Sequence, residues 1–323
     1  MSTPLAYLNG RFLPFAEAAL PLHDAGFVFG ATIVDNARTF RHRLFRWKDH
    51  LVRFRRDCWV CAVPLEATDD RLTVIAEELI THNASLLPPG GELQLVTFAT
   101  PGPLGFYLGE TTNGPPTLGM VTYPLPIARY RRFFTEGMTL ALAGFHSWHP
   151  EDMVPRMVKH RSRLNWYRAE QVVGNPANPE YKAGGIPVLL NQSGEGGDTA
   201  IGGILAVADG AVIRPPRQTV LDSISLTVVA ELCRGLGIPF QESRYNMTHL
   251  GHSEPIPPNE LAARVTEVML AGTGFCLAGV REFCMQGVIS RTYPWPGPVF
   301  RKLLAAWSDL VGVDIERQFT GAG

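Results

Sequence analysis

The sequence has almost no net charge, no long hydrophobic run and few cysteines. Its 323 residues carry 29 basic and 30 acidic side chains, so overall charge favours neither nucleic acid nor an anionic membrane as a partner. No apolar run reaches the roughly 18 residues of a spanning helix, so no membrane segment is expected. The opening residues MSTPLAYLNG lack a basic start followed by an apolar block, and no signal peptide is expected.

The five cysteines are odd in number and scattered, which argues against a disulfide framework. Free thiols are typical of a reducing compartment, so a cytoplasmic location is expected. Cys58 and Cys61 form a lone CxxC with no second pair. Their apolar neighbours Trp59 and Val60 favour ordinary packing over a zinc or redox pair.

Two histidine pairs have the three-residue spacing that a metal site can use. They are His146 with His149, and His249 with His252. No helical HExxH-like framework surrounds either pair, so we interpret them as loop histidines and predict no metal.

The sequence does contain the patterning of a globular α+β protein. Hydrophobic residues make up 46% of the chain, which is enough for a large core. Asn9-Gly10 and Asp209-Gly210 each separate two strand patterns and predict tight hairpins. Apolar residues at helical spacing predict a helix over residues 70–83, capped by Asp70, and a further helix over residues 225–236. A helix capped by Asp49 is also expected.

The order of these elements predicts two α+β domains. The smaller N-terminal domain covers residues 1–126 and the larger C-terminal domain covers residues 137–323. The arginine-containing stretch 127–136 is interpreted as the linker between them. A long Pro- and Gly-rich loop over residues 101–119 is of the kind that often has a function.

The segment VPRMVKHRSRLNWYRAE, residues 154–170, holds a single lysine, Lys159. Most lysines on helices are exposed, so one interpretation is a solvated charge on a helix face. A second is a catalytic amine, since His160, Arg161 and Arg163 would disfavour its protonated form if they approached it. A lowered lysine pKa is what a nucleophilic amine requires. From these residues alone both interpretations stay open.

Several blocks, taken in order, resemble the class IV pyridoxal-phosphate-dependent aminotransferases, which have fold type IV. LHDAGFVFGATIVDNARTFRHRLFRWKDHLVRF looks like the opening block, in which a turn and a strand ending in an acid precede H-L-x-R. GIPVLLNQSGEGGDTAIGGILAVADG looks like the central block, and EVMLAGTG like the last active-site strand. TVLDSISLTVVAELCRGLGI looks like the phosphate-binding helix. The family includes branched-chain and D-amino acid aminotransferases and aminodeoxychorismate lyase.

This resemblance implies roles position by position. Lys159 matches the Schiff-base lysine, which also moves the proton at the substrate Cα. Ile224 and Ser225 match the main-chain pair that holds the cofactor phosphate at a helix N-terminus, where free N–H groups favour an anion. Arg53 matches the arginine that reaches the phosphate, and Thr273 matches a hydroxyl donor to it. Ser225 also suits the N-cap of its helix, which is its structural interpretation.

Asp198 falls where the family places an acid against the pyridine nitrogen of the cofactor. A carboxylate there keeps the ring protonated, so that it accepts electrons from the substrate carbanion. The family usually has glutamate at this position, and aspartate is one methylene shorter. The neighbouring Glu195 is the alternative acid.

Other positions depart from the family pattern where the ring hydroxyl and the substrate are held. Leu164 stands where a tyrosine is common, with Asn165 next to it as a substitute donor. Gln94 stands where an arginine that grips a substrate carboxylate is frequent, and Leu226 also replaces a common arginine. Other arginines that can bind the substrate carboxylate instead are Arg38, Arg129 and Arg131.

The function implied is an aminotransferase that moves an amino group between an amino acid, or an amine, and a 2-keto acid. The resemblance further implies pyridoxal 5′-phosphate in a cleft between two α+β domains, and a homodimer whose 101–119 loop covers the cleft. One alternative is a lyase of the aminodeoxychorismate type, which needs no amino acceptor. Another is a non-catalytic binding protein on the same fold, since three expected site residues are altered.

Overall fold

The computed structural model describes residues 3–142, 155–190, 196–244 and 260–321. The chain forms two compact units, Met1–Leu125 with Val158–Ser162, and Pro126–Met157 with Arg163–Gly323. Both units combine helices and sheets, which confirms the predicted α+β class. The domain limits given above remain a prediction. Within the described ranges, no helix has both the length and the apolar character that crossing a bilayer requires.

The first unit is built around one antiparallel sheet. Its strands are β1 (Leu5–Leu8), β2 (Arg11–Pro14), β3 (Ile33–Phe40), β4 (Arg43–Leu44), β5 (Leu93–Thr100) and β6 (Thr117–Pro124). Its helices are α1 (Ala25–Val28), α2 (Trp47–Val60) and α3 (Asp69–Ala84). The strand order is β2-β1-β6-β5-β3-β4.

Local sequence explains the turns of this sheet. Asn9 and Gly10 adopt φ angles of 46° and 90°, which the tight hairpin between β1 and β2 requires. This confirms the first predicted hairpin. Arg41 and His42 form the β3–β4 turn with φ angles of 51° and 59°.

Helix α3 packs on one face of the sheet and forms the core of the first unit. The buried residues that meet there are Leu72, Ile75, Ala76, Leu79, Leu93, Leu95 and Met120. The helix contributes its members at the i, i+3, i+4, i+7 spacing seen in the sequence, so each falls on the same face. This spacing places a continuous apolar stripe against the alternate residues of β5 and β6.

Two predicted helix caps in the first unit are wrong. Thr68 is the N-cap of α3, since its side chain accepts from the Arg71 N–H at 3.2 Å, and Asp70 lies in the first turn. Helix α2 likewise starts at Trp47, so Asp49 lies in its first turn. Adjacent residues of similar capping ability cannot be separated by composition, because the backbone conformation decides which one is the N-cap.

The second unit is built around a larger mixed sheet. Its strands are β7 (Met138–Leu142), β8 (Ile186–Leu190), β9 (Gly196–Thr199), β10 (Gly203–Ala208), β11 (Ala211–Arg214), β12 (Phe240–Glu242), β13 (Val265–Gly272), β14 (Cys276–Met285) and β15 (Val288–Thr292). Its helices are α4 (Ile127–Thr135), α5 (Leu164–Gly174), α6 (Ile224–Leu236), α7 (Pro298–Val311) and α8 (Ile315–Thr320).

The path of this sheet closes on itself. Its order is β12-β11-β10-β13-β14-β7-β8-β9, with β15 paired to β14. Strand β9 pairs with β8 and also with β10, so the arrangement is barrel-like. The Asp209-Gly210 turn joins β10 to β11, which confirms the second predicted hairpin.

Most of the stretch interpreted as a linker is helix α4. Tyr130, Phe133 and Phe134 are buried on one face of this helix. The Phe134 ring stacks on Phe319 of α8 with 4.8 Å between centroids. The arginines between these aromatics gave the stretch a polar composition, which concealed its i, i+3, i+4 apolar spacing.

Candidate active site

Lys159 lies in an extended segment of the first unit, outside the helices. His160 pairs with Ile33 in an antiparallel bridge, and the Val34 N–H donates to the Lys159 carbonyl oxygen at 3.0 Å. The interpretation of Lys159 as a solvated charge on a helix face is therefore wrong. Strand β3 supplies the backbone hydrogen bonds that a single short extended segment cannot make within itself.

Helix α2 buries two adjacent stripes of side chains. The apolar stripe comprises Leu51, Phe54 and Cys58, and the polar stripe comprises His50, Arg53 and Asp57. Each stripe has the i, i+3, i+7 spacing of one helix face. Sequence reasoning found Arg53, but it missed the two other polar residues. The same periodicity, applied to polar residues, was the available signal.

Asp35 of β3 joins Arg53 and His50 in a buried network. The Arg53 guanidinium donates to the Asp35 carboxylate from Nε at 2.8 Å and from Nη2 at 2.9 Å. The His50 Nδ1 atom lies 2.6 Å from Asp35 Oδ1. All three side chains are at most 6% exposed, so the network is shielded from water. Two parallel N–H bonds to one carboxylate fix the plane of the guanidinium.

These contacts determine the charges in the network. Burial by itself would raise the pKa of Asp35, but Arg53 and then His50 outweigh it and hold that pKa well below its usual range. Burial lowers the pKa of His50; Asp35 opposes this effect, and the charges of Arg53 and Lys159 add to it. The Lys159 main chain adjoins this network, since its carbonyl oxygen accepts from Val34, the residue before Asp35.

Asp57 links this stripe to the lysine segment. Its side chain is fully buried, and Oδ2 accepts from the backbone N–H of Lys159 at 2.8 Å. The Arg56 side chain donates to Oδ1 from Nε at 2.9 Å and from Nη2 at 2.7 Å. Burial raises the pKa of Asp57, and the hydrogen bonds from Lys159 and Arg56 partly offset that rise.

In the second unit, Asp198 lies on β9 opposite Gly203 of β10 and is half-buried. Its Oδ2 accepts from the Leu221 N–H at 2.6 Å. The carboxylate is therefore tied to the loop that leads into helix α6. Glu195, the alternative acid, lies outside the described residues.

The N-terminus of α6 has the donors that an anion requires. The N-cap is Ser223, whose hydroxyl accepts from the Leu226 N–H at 3.4 Å, so the structural interpretation of Ser225 as N-cap is wrong. Ile224 and Ser225 are buried, and no described residue accepts from their backbone N–H groups. Buried N–H groups without acceptors at a helix start fit a phosphate.

Glycines bring the turn that holds Thr273 close to the start of β10. A Cβ added to Gly272 would lie 2.4 Å from the Ile201 carbonyl oxygen, and one added to Gly202 would lie 2.6 Å from the Ala271 oxygen. Only residues without a side chain permit this approach. Thr273 is half-buried in the turn between β13 and β14. The second unit thus brings Asp198, Thr273 and the start of α6 to one end of its sheet.

The residues that depart from the family pattern have distinct surroundings. Leu226 is buried, and a Cβ on Gly203 would lie 2.9 Å from its Cδ1 atom, so packing explains a leucine there. Leu164 is 71% exposed at the start of α5. Gln94 faces Arg38 directly across β5 and β3, and both are buried.

Of the three arginines considered for the carboxylate grip, Arg38 alone is a neighbour of Gln94 within the first unit. Its guanidinium carbon lies 4.0 Å from the centroid of the Phe40 ring. Arg129 and Arg131 belong to helix α4 of the second unit. The sheet register therefore places Arg38 next to Gln94, and the choice among the three arginines remains a prediction.

The other candidate ligands do not form a described site. The two histidine pairs lie outside the described residues. Within the described ranges, no cluster of three or more histidine, cysteine or acidic side chains is placed to hold a metal. Burial raises the pKa of Cys58 to about 12 and also raises that of Cys61, so both thiols stay protonated.

Comparison with known proteins decides the family. The model of the family described as amino-transferase class IV matches residues 32–283. The chain belongs to this family. It is therefore an enzyme that transfers amino groups. The D-alanine aminotransferase of Staphylococcus aureus strain N315 is 22% identical to this aminotransferase over 275 residues, which cover 81% of this chain and 87% of that relative.

Solved structures share the fold. The branched-chain amino acid aminotransferase from Escherichia coli has a TM-score of 0.74 at 17% identity, covering 96% of this chain and 95% of that chain. The branched-chain aminotransferase from the thermophilic archaeon Thermoproteus uzoniensis, solved with norvaline, has a TM-score of 0.74 at 16% identity, covering 99% of this chain and 98% of that chain. At this identity the likeness concerns the fold, and it confirms the predicted fold type IV.

Proposed function

We propose that this aminotransferase works through Lys159 with pyridoxal 5′-phosphate as its cofactor. The observation that carries the proposal is the position of Lys159 beside the buried network of Asp35, His50 and Arg53. Its carbonyl oxygen accepts from Val34, the neighbour of Asp35, at 3.0 Å, and its N–H donates to Asp57 at 2.8 Å. The chain has four lysines, Lys48, Lys159, Lys182 and Lys302. Lys48 and Lys302 are exposed, and Lys182 pairs with Glu282 at 3.5 Å.

The donor groups described above suit the proposed cofactor. The backbone N–H groups of Ile224 and Ser225, the Arg53 guanidinium and the Thr273 hydroxyl would hold the phosphate. Asp198 would face the ring nitrogen. When bound, the cofactor supplies an electron sink for the carbanion formed at the substrate Cα.

The chain's own residues would then perform the amino transfer. The amine of Lys159 removes the proton from the donor Cα and returns a proton later in the cycle. In the first half-reaction the amino acid or amine leaves as its carbonyl product. Between the two half-reactions the amino group would be carried by the bound cofactor, and in the second half-reaction a 2-keto acid would receive this group and leave as an amino acid. Asp35 would keep the Arg53 guanidinium oriented, because a bidentate carboxylate fixes the guanidinium plane.

Borohydride reduction tests the proposal directly. We expect purified protein supplied with pyridoxal phosphate to absorb in the visible range and to lose that absorption on reduction. Mass mapping should find the reduced cofactor on Lys159 and on none of the other three lysines. The reaction should also require a 2-keto acid acceptor. Labelling of another lysine, failure of reconstitution, or turnover without an acceptor would each contradict the proposal.

We propose a homodimer in which an apolar surface of the first unit is covered by a second copy. The surface comprises Leu22, Phe27, Phe29, Phe106, Tyr107 and Leu108, each more than half exposed. The two segments that carry it are adjacent, since the Leu104 N–H donates to the His23 oxygen at 2.9 Å. A surface of this apolar character marks an interface with another protein.

Sedimentation of a variant tests this interface. The change Phe27→Ser with Phe29→Ser should convert the protein from dimer to monomer at micromolar concentration. The matched change Phe15→Ser, at a half-exposed residue outside that surface, should leave the dimer intact. A dimer that persists in the double variant would show that the interface lies elsewhere.

We place the protein in the cytoplasm, because its five cysteines are free.

A further inference from the structure

Asp57 is a buried acid for which the reaction itself provides no role. It follows Arg53 by four residues, so α2 presents both from the same face. Its side chain is 1% exposed, and a carboxylate in such a place requires donors at both oxygens. One oxygen receives two N–H bonds from Arg56, and the other receives the Lys159 backbone N–H.

The lysine segment is held at both polar atoms of the Lys159 main chain. Its N–H donates to Asp57 of α2, and its carbonyl oxygen accepts from Val34 of β3. The Arg161 N–H adds a bond to the Thr32 oxygen at 2.9 Å. Of these bonds, the one to Asp57 is the only one made by a side chain, and it is charge-assisted, which makes it stronger than a neutral one.

We propose that Asp57 is a positioning residue, whose carboxylate fixes the main chain of Lys159 and thereby the place from which the lysine amine works. This inference rests on the proposed role of Lys159. Acid-base catalysis is sensitive to such placement, because the amine must stay within hydrogen-bond reach of the proton that it moves. A carboxylate on a rigid helix supplies this restraint without touching the reacting atoms.

Hydrogen exchange on the cofactor-free protein tests the anchor. In Asp57→Leu, the amides of residues 158–162 should exchange between about 10-fold and 100-fold faster, because a hydrogen bond to a charged group is lost. The amides of β5 and β6 should keep their wild-type rates. Asp57→Asn should retain most of the protection, since its carboxamide oxygen can still accept the Lys159 N–H.

Arg56→Gln is the matched control. It replaces the charged donor to the other oxygen of Asp57 by a neutral carboxamide, whose N–H can still donate to that oxygen, and it leaves the bond to Lys159. Exchange in residues 158–162 should therefore change by less than about twofold. If Arg56→Gln accelerates exchange as much as Asp57→Leu does, the ion pair is the cause and the proposal is overturned. Should Asp57→Leu not fold, Asp57→Ala decides the question by the same measurement.

Kinetics then separate positioning from a purely structural role. Asp57→Leu should lower kcat by about 10-fold or more and leave KM for the amino donor within about twofold, while Asp57→Asn restores kcat. Faster exchange with an unchanged kcat would overturn the positioning role. If borohydride mapping of the wild-type protein finds no cofactor on Lys159, the proposed function fails instead, and the exchange result still reports on the anchor.

Discussion

Replacing Lys159 by alanine is expected to reduce amino-group transfer by about 10²- to 10⁴-fold or more. The amine would no longer be present to bear the cofactor or to move the proton at the substrate Cα. The fold should persist, because the two hydrogen bonds of this residue to Asp57 and Val34 use backbone atoms that alanine retains. Transfer rates from an amino donor to a 2-keto acid, measured with a matched thermal unfolding curve, provide the test.

Lys182→Ala is the control for this result. Lys182 is half-buried like Lys159, but it pairs with Glu282 in the second unit at 3.5 Å. Its loss should leave the rate of transfer within about twofold, since exposed and half-exposed ion pairs contribute little. Full activity in Lys159→Ala would remove the lysine from the mechanism, and equal losses in both variants would indicate a general effect of removing a positive charge.

Asp35→Asn is expected to lower the free energy of unfolding by about 3–5 kcal/mol at neutral pH. The change leaves the Arg53 guanidinium buried without its counter-charge, and an unpaired buried charge is costly. Urea unfolding at pH 7 measures the loss. The binding of pyridoxal phosphate should weaken in parallel, because Arg53 loses the carboxylate that orients it.

The difference in the free energy of unfolding between wild type and Asp35→Asn should depend on pH with a definite sign. The pKa of Asp35 is held below its usual value in the folded protein, so its stabilising contribution is fully present above the unfolded pKa of about 4. That contribution is lost as the pH falls from about 4 toward the folded pKa. The difference in the free energy of unfolding between wild type and Asp35→Asn should therefore shrink as the pH falls from about 4 to 3.

Asp49→Asn serves as the comparison for Asp35→Asn. Asp49 also lies beside an arginine at the start of α2, with Arg46 Nη1 at 3.4 Å, but its side chain is 45% exposed. Its removal should cost less than about 1 kcal/mol, because water screens the pair. If Asp35→Asn lowers the free energy of unfolding no more than Asp49→Asn does, the buried network does not stabilise the first unit.

Local sequence was sufficient where the deciding interactions are close along the chain. The Asn9-Gly10 and Asp209-Gly210 turns were predictable, since their positive φ angles depend on the residues themselves. Helix α3 was predictable because its apolar residues recur at every turn of the helix, three or four positions apart in the sequence. Helix α4 was missed, since its arginines suggested solvent while its buried aromatics needed a partner such as Phe319, far away in the chain.

The resemblance to a known family predicted roles for Lys159, Arg53 and Asp198 by their positions in the sequence, but it did not predict which residues contact them. The contacts that surround Lys159 join residues remote in sequence, since Asp57 and Lys159 are 102 positions apart. Asp35 and Arg53 are 18 positions apart and meet because β3 and α2 pack together. Sequence spacing carries no information about such meetings until the strand register and the helix faces are known.

The sequence by itself therefore determined the α+β class, the hairpins and the principal helices, and it predicted Lys159 as the catalytic amine. The tertiary structure alone decided that Lys159 is extended, that Asp57 and Val34 hold its main chain, and that Arg38 stands opposite Gln94. The physical reason is the distance along the chain between the residues that interact. Turn conformations and helix periodicity arise within a few residues, whereas buried ion pairs and cross-strand neighbours arise only when distant segments pack and exclude water.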